Sequence, residues 1–227
     1  MKHTMQEHLT KIPVKDIETF LLDLDGTLLD RYFDDYFWEH LVPERYAKMH
    51  NLSVQKAKEE LLQKYKYHEG TLNWTDIDFW TDELGIDIPV LKEQVNHLIQ
   101  VHPHVEAFLS MLKEDGKRVY LVTNAHFKTL EIKMRKTRLG RYFTHVITSF
   151  DMGTPKEDIQ FWIQLEHTLR FDRNNSLFVD DTLAVLRTAK AFGIRYVVYK
   201  AVANSQKGLV HSDEFSSIAD FRELMYR

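Results

Sequence analysis

The sequence predicts an α/β protein: a doubly wound parallel sheet carrying a small all-helical insert. Three observations predict it. Five short apolar runs alternate with segments of helical period over residues 16–30 and 101–227. Residues 31–100 hold no strand-like run. The polar residues able to do chemistry fall at the C-terminal ends of the apolar runs, where an open parallel sheet binds its ligands.

Each element follows in order. Residues 1–15 are polar, with lysines and histidines, and read as a loose arm. The run FLLDLD at 20–25 stops at Gly26-Thr27, as a buried strand with acids at its tip does. Helical spacing then covers 34–50, 53–67, 75–84 and 89–99, with Ser53 as an N-cap and Gly85 as a stop. The chain crosses between insert and sheet near 28–31 and 100–104, the only sensible hinges. A helix from 105 runs to a stop at Gly116. Strands at 118–123 (RVYLVT), 145–149, 176–180 (SLFVD) and 195–199 alternate with helices at 129–138, 157–169 and 182–192, the last ending at Gly193. The organisation is therefore a polar arm (1–15), a sheet unit (16–30 with 101–227) and a helical unit (31–100).

Composition excludes several classes. At 227 residues the chain suits one domain plus a sizeable insertion. A 44% hydrophobic content gives it a full core. Lys+Arg 30 against Asp+Glu 34 gives a net charge of −4, which argues against a nucleic-acid polymer as partner. Cys is 0, so disulfides, thiolate zinc sites and cysteine nucleophiles are excluded. The first eleven residues lack the apolar stretch of a signal peptide, and no run reaches membrane-spanning length. The expectation is a cytoplasmic protein with no membrane partner.

Four clusters carry the chemistry. The first is Asp23-Leu24-Asp25-Gly26-Thr27. Alternate strand positions share a side, and Gly26 lets the chain leave strand geometry so that the second acid swings toward the first one's target. A carboxylate attacks an anionic electrophile only when that charge is neutralised, a condition that aspartyl-phosphate chemistry meets with a metal. Thr123 and Asn124 end the second strand, where a hydroxyl and amides can hold phosphoryl oxygens. Lys156 precedes a helix and supplies a point charge for phosphate. Asp180-Asp181 end the fourth strand. Adjacent carboxylates there repel unless a cation sits between them, which points to oxygen ligands for Mg²⁺.

The order DxDGT, Thr at a strand end, Lys, then DD resembles the haloacid dehalogenase-like hydrolase superfamily over the whole chain outside the arm. The resemblance implies a doubly wound core with a helical cap after the first strand. It makes Asp23 the nucleophile toward phosphorus, and Asp25 the group that protonates the leaving oxygen and later activates water. Mg²⁺ would be held by Asp23, the Asp25 carbonyl and Asp181, with Asp180 acting directly or through water. Thr123, the Asn124 amide and Lys156 would cradle the phosphoryl group. Relatives that cleave carbon–halogen bonds lack the second aspartate, so Asp25 favours phosphoryl transfer. Relatives that cleave phosphonates use a Schiff-base lysine in the cap, and Lys48, Lys56, Lys58, Lys64 and Lys66 read instead as helix-surface charge.

The insert is aromatic at Phe33, Tyr36, Phe37, Trp38, Trp74, Phe79 and Trp80. These rings either fill the small insert core or offer a surface on which a base stacks, Trp74 among them. His126 either contacts substrate or makes local hydrogen bonds. His102 and His104 flank Pro103 at a helix entry without a third ligand nearby. The aromatic pattern, with TNAH at 123–126 and PKED at 155–158, resembles the bacterial GMP/IMP nucleotidases of this superfamily, which implies a purine 5′-mononucleotide substrate. Two other readings stay open: a sugar-phosphate phosphatase or phosphomutase, and a non-catalytic phospho-ligand binding or regulatory protein.

Overall fold

Side-chain alternation along β1 (Thr19–Leu22) feeds two cores at once. In the computed structural model, which describes residues 12–226, Phe20 and Leu22 point into one apolar cluster and Leu21 into the other. All four residues of β1 are buried, as a central parallel strand covered on both faces must be. The strands β2 (Arg118–Thr123), β3 (His145–Thr148), β4 (Ser176–Asp180), β5 (Tyr196–Lys200) and β6 (Ser216–Ile218) complete a six-stranded sheet in the order β3-β2-β1-β4-β5-β6. Every pairing is parallel. Chain order reverses between β1 and β4, which opens a crevice above their C-terminal ends.

The insert follows β1. A helix α1 (Tyr32–Tyr36), a π-helical turn (Phe37–Leu41) and α2 (Val42–His50) form one run where the spacing predicts a single helix. After α3 (Val54–His68) come a single turn (Leu72–Trp74), α4 (Ile77–Leu84) and α5 (Ile88–Gln94). Local chemistry sets these ends. The Ser53 hydroxyl accepts from the Lys56 N–H, and the Asp76 carboxylate from the N–H groups of Asp78 and Phe79. The helix expected from 75 therefore starts at 77. The helix expected to reach 99 stops at Gln94, and a short turn (Asn96–Leu98) follows.

Both chain crossings lie side by side. The Asp30 N–H donates to the Gln100 carbonyl (2.9 Å), and the His102 N–H donates to the Leu28 carbonyl (2.9 Å). Beyond the hinge, α6 (Val105–Glu114) packs on one sheet face, while α9 (Ile159–Leu169) and α10 (Leu183–Phe192) cover the other. Between them lie α7 (Phe127–Thr137) and the single-turn α8 (Ser149–Met152). Strand β6 and α8 escape periodicity because each is four residues or fewer. Of the polar arm expected over 1–15, residues 1–11 lie outside the described residues. The remainder is not loose, since Val14 is buried and Ile12 lies against the core. No helix among the described residues is long and apolar enough to cross a membrane.

Candidate active site

The acids of the first motif leave the strand in two steps. Asp23 keeps the ladder, its N–H donating to the Val179 carbonyl at 3.0 Å. Gly26 then takes φ +87°, a left-handed conformation that side chains resist. A Cβ there would meet Asp181 Oδ2 at 2.2 Å, so only glycine lets the two acidic loops approach. The turn closes on itself through Gly26 N–H to the Leu29 carbonyl (2.8 Å) and Leu28 N–H to the Leu24 carbonyl (2.9 Å).

Lys156 joins the second cluster to the first and fourth. Its ammonium donates to Asp23 Oδ1 (2.6 Å), Asp180 Oδ2 (2.7 Å) and the Val122 carbonyl (3.2 Å), one acceptor for each hydrogen. Burial alone would discharge it, but Asp180 and Asp23 outweigh that and hold it firmly charged. The loop is pinned from three sides. The Lys156 N–H donates to Asn124 Oδ1 (3.0 Å), the Asn124 amide donates to Glu157 (2.9 Å), and the Trp162 indole donates to the Lys156 carbonyl (2.8 Å). The Asn124 side chain is thus spent on positioning the lysine. Thr123 Oγ1 accepts from the Ala125 N–H (3.0 Å), which leaves its own hydrogen to donate elsewhere.

Asp180 and Asp181 face different partners. Asp180 Oδ1 accepts from the Thr182 N–H at 2.7 Å, and Asp181 Oδ2 accepts from the Arg31 guanidinium at 2.7 Å. Asp23, Asp180 and Asp181 each place a carboxylate oxygen within 4.8 Å of the others. Asp23 Oδ2 is buried without a hydrogen-bond partner. Three carboxylates here meet two cations, Lys156 and Arg31. Burial pushes Asp23 up to about 6 against the pull of Lys156, and Asp181 up to about 8 against Arg31. The donor set therefore fits a divalent cation, which supplies the missing positive charge and suits hard oxygen ligands.

Asp25 lies apart from this cluster. Its Oδ1 accepts from Lys133 Nζ at 2.6 Å, and burial, opposed by Lys133, pushes its carboxyl up to about 6. Above these groups opens a cleft of about 600 Å³, lined by the strand-end residues, by α7 and by the insert. Trp38, Tyr65, Trp74 and Trp80 form edge-on pairs 5.1–6.2 Å apart along its insert side. Trp80 is sealed in the insert core, whereas Trp74 is 41% exposed. His126 lines the cleft too, and its Nδ1 accepts from the Lys128 N–H (3.4 Å) at the start of α7. Its Nε2 lies 3.6 Å from Asp76 and 3.9 Å from Asp78 of the insert. His102 is buried against the Ala203 carbonyl, and His104 turns toward Asp220, so the pair shares no ligand.

Among the charged cleft residues that the sequence reading did not single out are Arg31, Asp34, Lys92 and Lys133. A signal existed for the lysines. Lys133 falls three residues after Leu130 and Lys92 four after Ile88, so each sits on the apolar stripe of its helix. Arg31 and Asp34 follow the hinge with nothing in their spacing to mark them.

Comparison with known proteins extends this geometry. A family model described as haloacid dehalogenase-like hydrolase matches residues 17–193. The chain is 35% identical over 213 residues to the GMP/IMP nucleotidase YrfG of Escherichia coli K12, covering 93% of this chain and 95% of that one. A phosphoglycolate phosphatase of Pseudomonas syringae pv. tomato is 25% identical over 155 residues, covering 68% of this chain and 57% of that one. A solved structure of a HAD phosphatase from Thermococcus onnurineus superposes with a TM-score of 0.75 at 24% identity, covering 92% and 96% of the two chains.

Proposed function

The chain belongs to the haloacid dehalogenase-like hydrolase family, and from that premise we propose that it is a Mg²⁺-dependent phosphomonoesterase that releases phosphate from purine 5′-mononucleotides. The observation that carries the chemistry is the Asp23–Lys156–Asp180 bridge, with Asp181 beside it and one Asp23 oxygen unpartnered. The substrate class rests on the similarity to a GMP/IMP nucleotidase and on the aromatic insert wall of the cleft.

The residues divide the work as follows. Lys156 and the strand end fix the Asp23 carboxylate, which attacks phosphorus as the ester P–O bond breaks. Asp25 gives its proton to the departing oxygen, so the nucleoside leaves as an alcohol. Asp25, now ionised, takes a proton from water as that water attacks phosphorus. The P–O bond to Asp23 breaks, and phosphate and both free carboxyl groups return. A carboxyl near 6 is suited to both halves of that exchange. The Thr123 hydroxyl, with its hydrogen free to donate, binds a phosphoryl oxygen, and Lys156 lends its charge and, on leaving the Val122 carbonyl, its longest contact at 3.2 Å, a hydrogen. Asp23, Asp181 and the Asp25 carbonyl would hold the Mg²⁺, with Asp180 behind them. Bound there, the ion would supply the positive charge that a carboxylate needs in order to attack an anionic phosphoryl group.

Phosphate release from GMP, IMP, AMP, pyrimidine monophosphates, sugar phosphates and phosphoglycolate, each with Mg²⁺ and with EDTA, tests the reading. Preference for GMP and IMP, abolished by EDTA, is expected. Turnover confined to sugar phosphates or phosphoglycolate overturns the substrate class and keeps the chemistry. Binding without release makes the chain a phospho-ligand binding protein.

A further inference from the structure

Lys133 is 1% exposed and lies between two acids from different units. Its ammonium donates to Asp25 Oδ1 in the strand-end loop and to Asp34 Oδ2 at the start of the insert, both at 2.6 Å. Lys92, on α5 of the insert and also 1% exposed, donates to the other oxygen of Asp34 at 2.9 Å. Phe33, Phe37 and Trp38 wrap Lys92 at 4.5–5.6 Å, and Phe33 also covers Lys133 at 5.4 Å. Two buried lysines and two partly exposed aspartates thus form one chain, Asp25–Lys133–Asp34–Lys92, that crosses from core to insert.

Stability alone is a poor account of this chain, because well-packed apolar residues do as well as buried ion pairs. Direction is the better account. The Lys133 bond takes one oxygen of Asp25 and fixes the plane of the carboxyl, leaving the second oxygen for proton transfer. Asp34, itself clamped by Lys92, fixes Lys133 from the insert side. We propose that Lys133 is a positioning residue, which aims Asp25 at the ester oxygen, and that Asp34 makes this aim conditional on a seated insert. The inference rests on the role given to Asp25 above.

Leaving-group dependence separates aiming from mere folding. The nucleoside of GMP and the glucose of glucose 6-phosphate are poor leaving groups as alkoxides and need the proton to depart as alcohols. p-Nitrophenyl phosphate leaves as a stable phenolate and does not. General acid catalysis contributes roughly 10²–10⁴-fold, so Lys133→Met is expected to lower alkyl-ester kcat about 30-fold more than aryl-ester kcat. Asp34→Asn, which keeps the Lys133–Asp25 pair, should shift the ratio the same way by about 5-fold. Lys128→Met removes a different α7–insert ion pair, to Asp78, and should leave the ratio unchanged. Equal losses on both ester types, or a change in KM alone, overturn the proposal. If Lys133→Met does not fold, the Asp34→Asn ratio decides by the same criterion. An unmodified chain inert to all three esters overturns the phosphatase reading, and with it the Asp25 role on which the proposal rests. One that turns over alkyl esters while the variants keep their ratio overturns only the aim.

Discussion

Two aspartate–lysine–aspartate bridges stand a few residues apart in the cleft and are built on opposite principles. At the strand ends, Lys156 joins Asp23 to Asp180. Under the insert, Lys133 joins Asp25 to Asp34. The first has a main-chain anchor at each member: the Asp23 N–H on the Val179 carbonyl, Asp180 on the Thr182 N–H, and the Lys156 ammonium on the Val122 carbonyl. The second spans a hinge, and half of it moves if the insert moves. Identical groups at nearly identical distances are held within the core in one place and between core and insert in the other. What differs is which elements hold them.

Substitution at the fixed bridge gives the largest effect. Asp23→Asn should lower turnover by at least about 10⁴-fold, since loss of a nucleophile removes the covalent route altogether. Phosphate release from folded protein, checked by circular dichroism, measures it. Near-normal turnover would dissolve the distinction between the two bridges. Next comes Asp181→Ala, expected to weaken Mg²⁺ binding by at least about 100-fold, because even the groups behind metal ligands are worth 10–100-fold. Calorimetric titration with Mg²⁺ checks it, and unchanged affinity removes Asp181 from the cation site.

On the insert side the effects shrink. Trp74→Ala should raise KM for GMP about 3–10-fold, the worth of one aromatic contact, and leave KM for p-nitrophenyl phosphate alone. A uniform change would assign Trp74 to packing. The smallest effect is on stability against acid. Burial raises the Asp34 carboxyl, but Lys133 and Lys92 outweigh it and hold it well below the usual carboxylate range. A lowered folded value stabilises the protein above the unfolded value near 4, and that contribution fades as pH falls below it. The stability advantage of the unmodified chain over Asp34→Asn, from urea midpoints, should therefore shrink between pH 5 and pH 3. A constant difference would show that Asp34 is not ionised against the lysines.

The contrast also explains what the sequence made legible. Asp23, Thr123 and Asp180 each end an apolar run, so local pattern locates them, and a parallel sheet brings such ends together. Asp34, Lys92 and Lys133 lie 41 to 99 positions apart on three helices, and their meeting is tertiary. Helical period could place each lysine on a buried stripe but could not name its partner. The insert was legible as helices, yet the π-helical turn at 37–41 and the break after Gln94 were not, because packing sets them. Which rings face ligand is likewise a property of the assembled insert: Trp80 is sealed and Trp74 is open, and their sequence contexts do not separate them.

The paired crossings at Leu28–Asp30 and Gln100–His102 bear on how the chain assembles. Thr19 pairs with Arg118, so the first two strands must find each other across nearly half the sequence. Closing a loop of roughly 95 residues costs entropy that grows with the logarithm of its length, and folding slows as contacts become less local. If the insert's helices form first and tie residues 30 and 100 together, the sheet sees a loop of only about 25 residues, a saving of about 1 kcal/mol. The insert would then serve the nascent sheet as a splint before it serves the finished cleft as a wall.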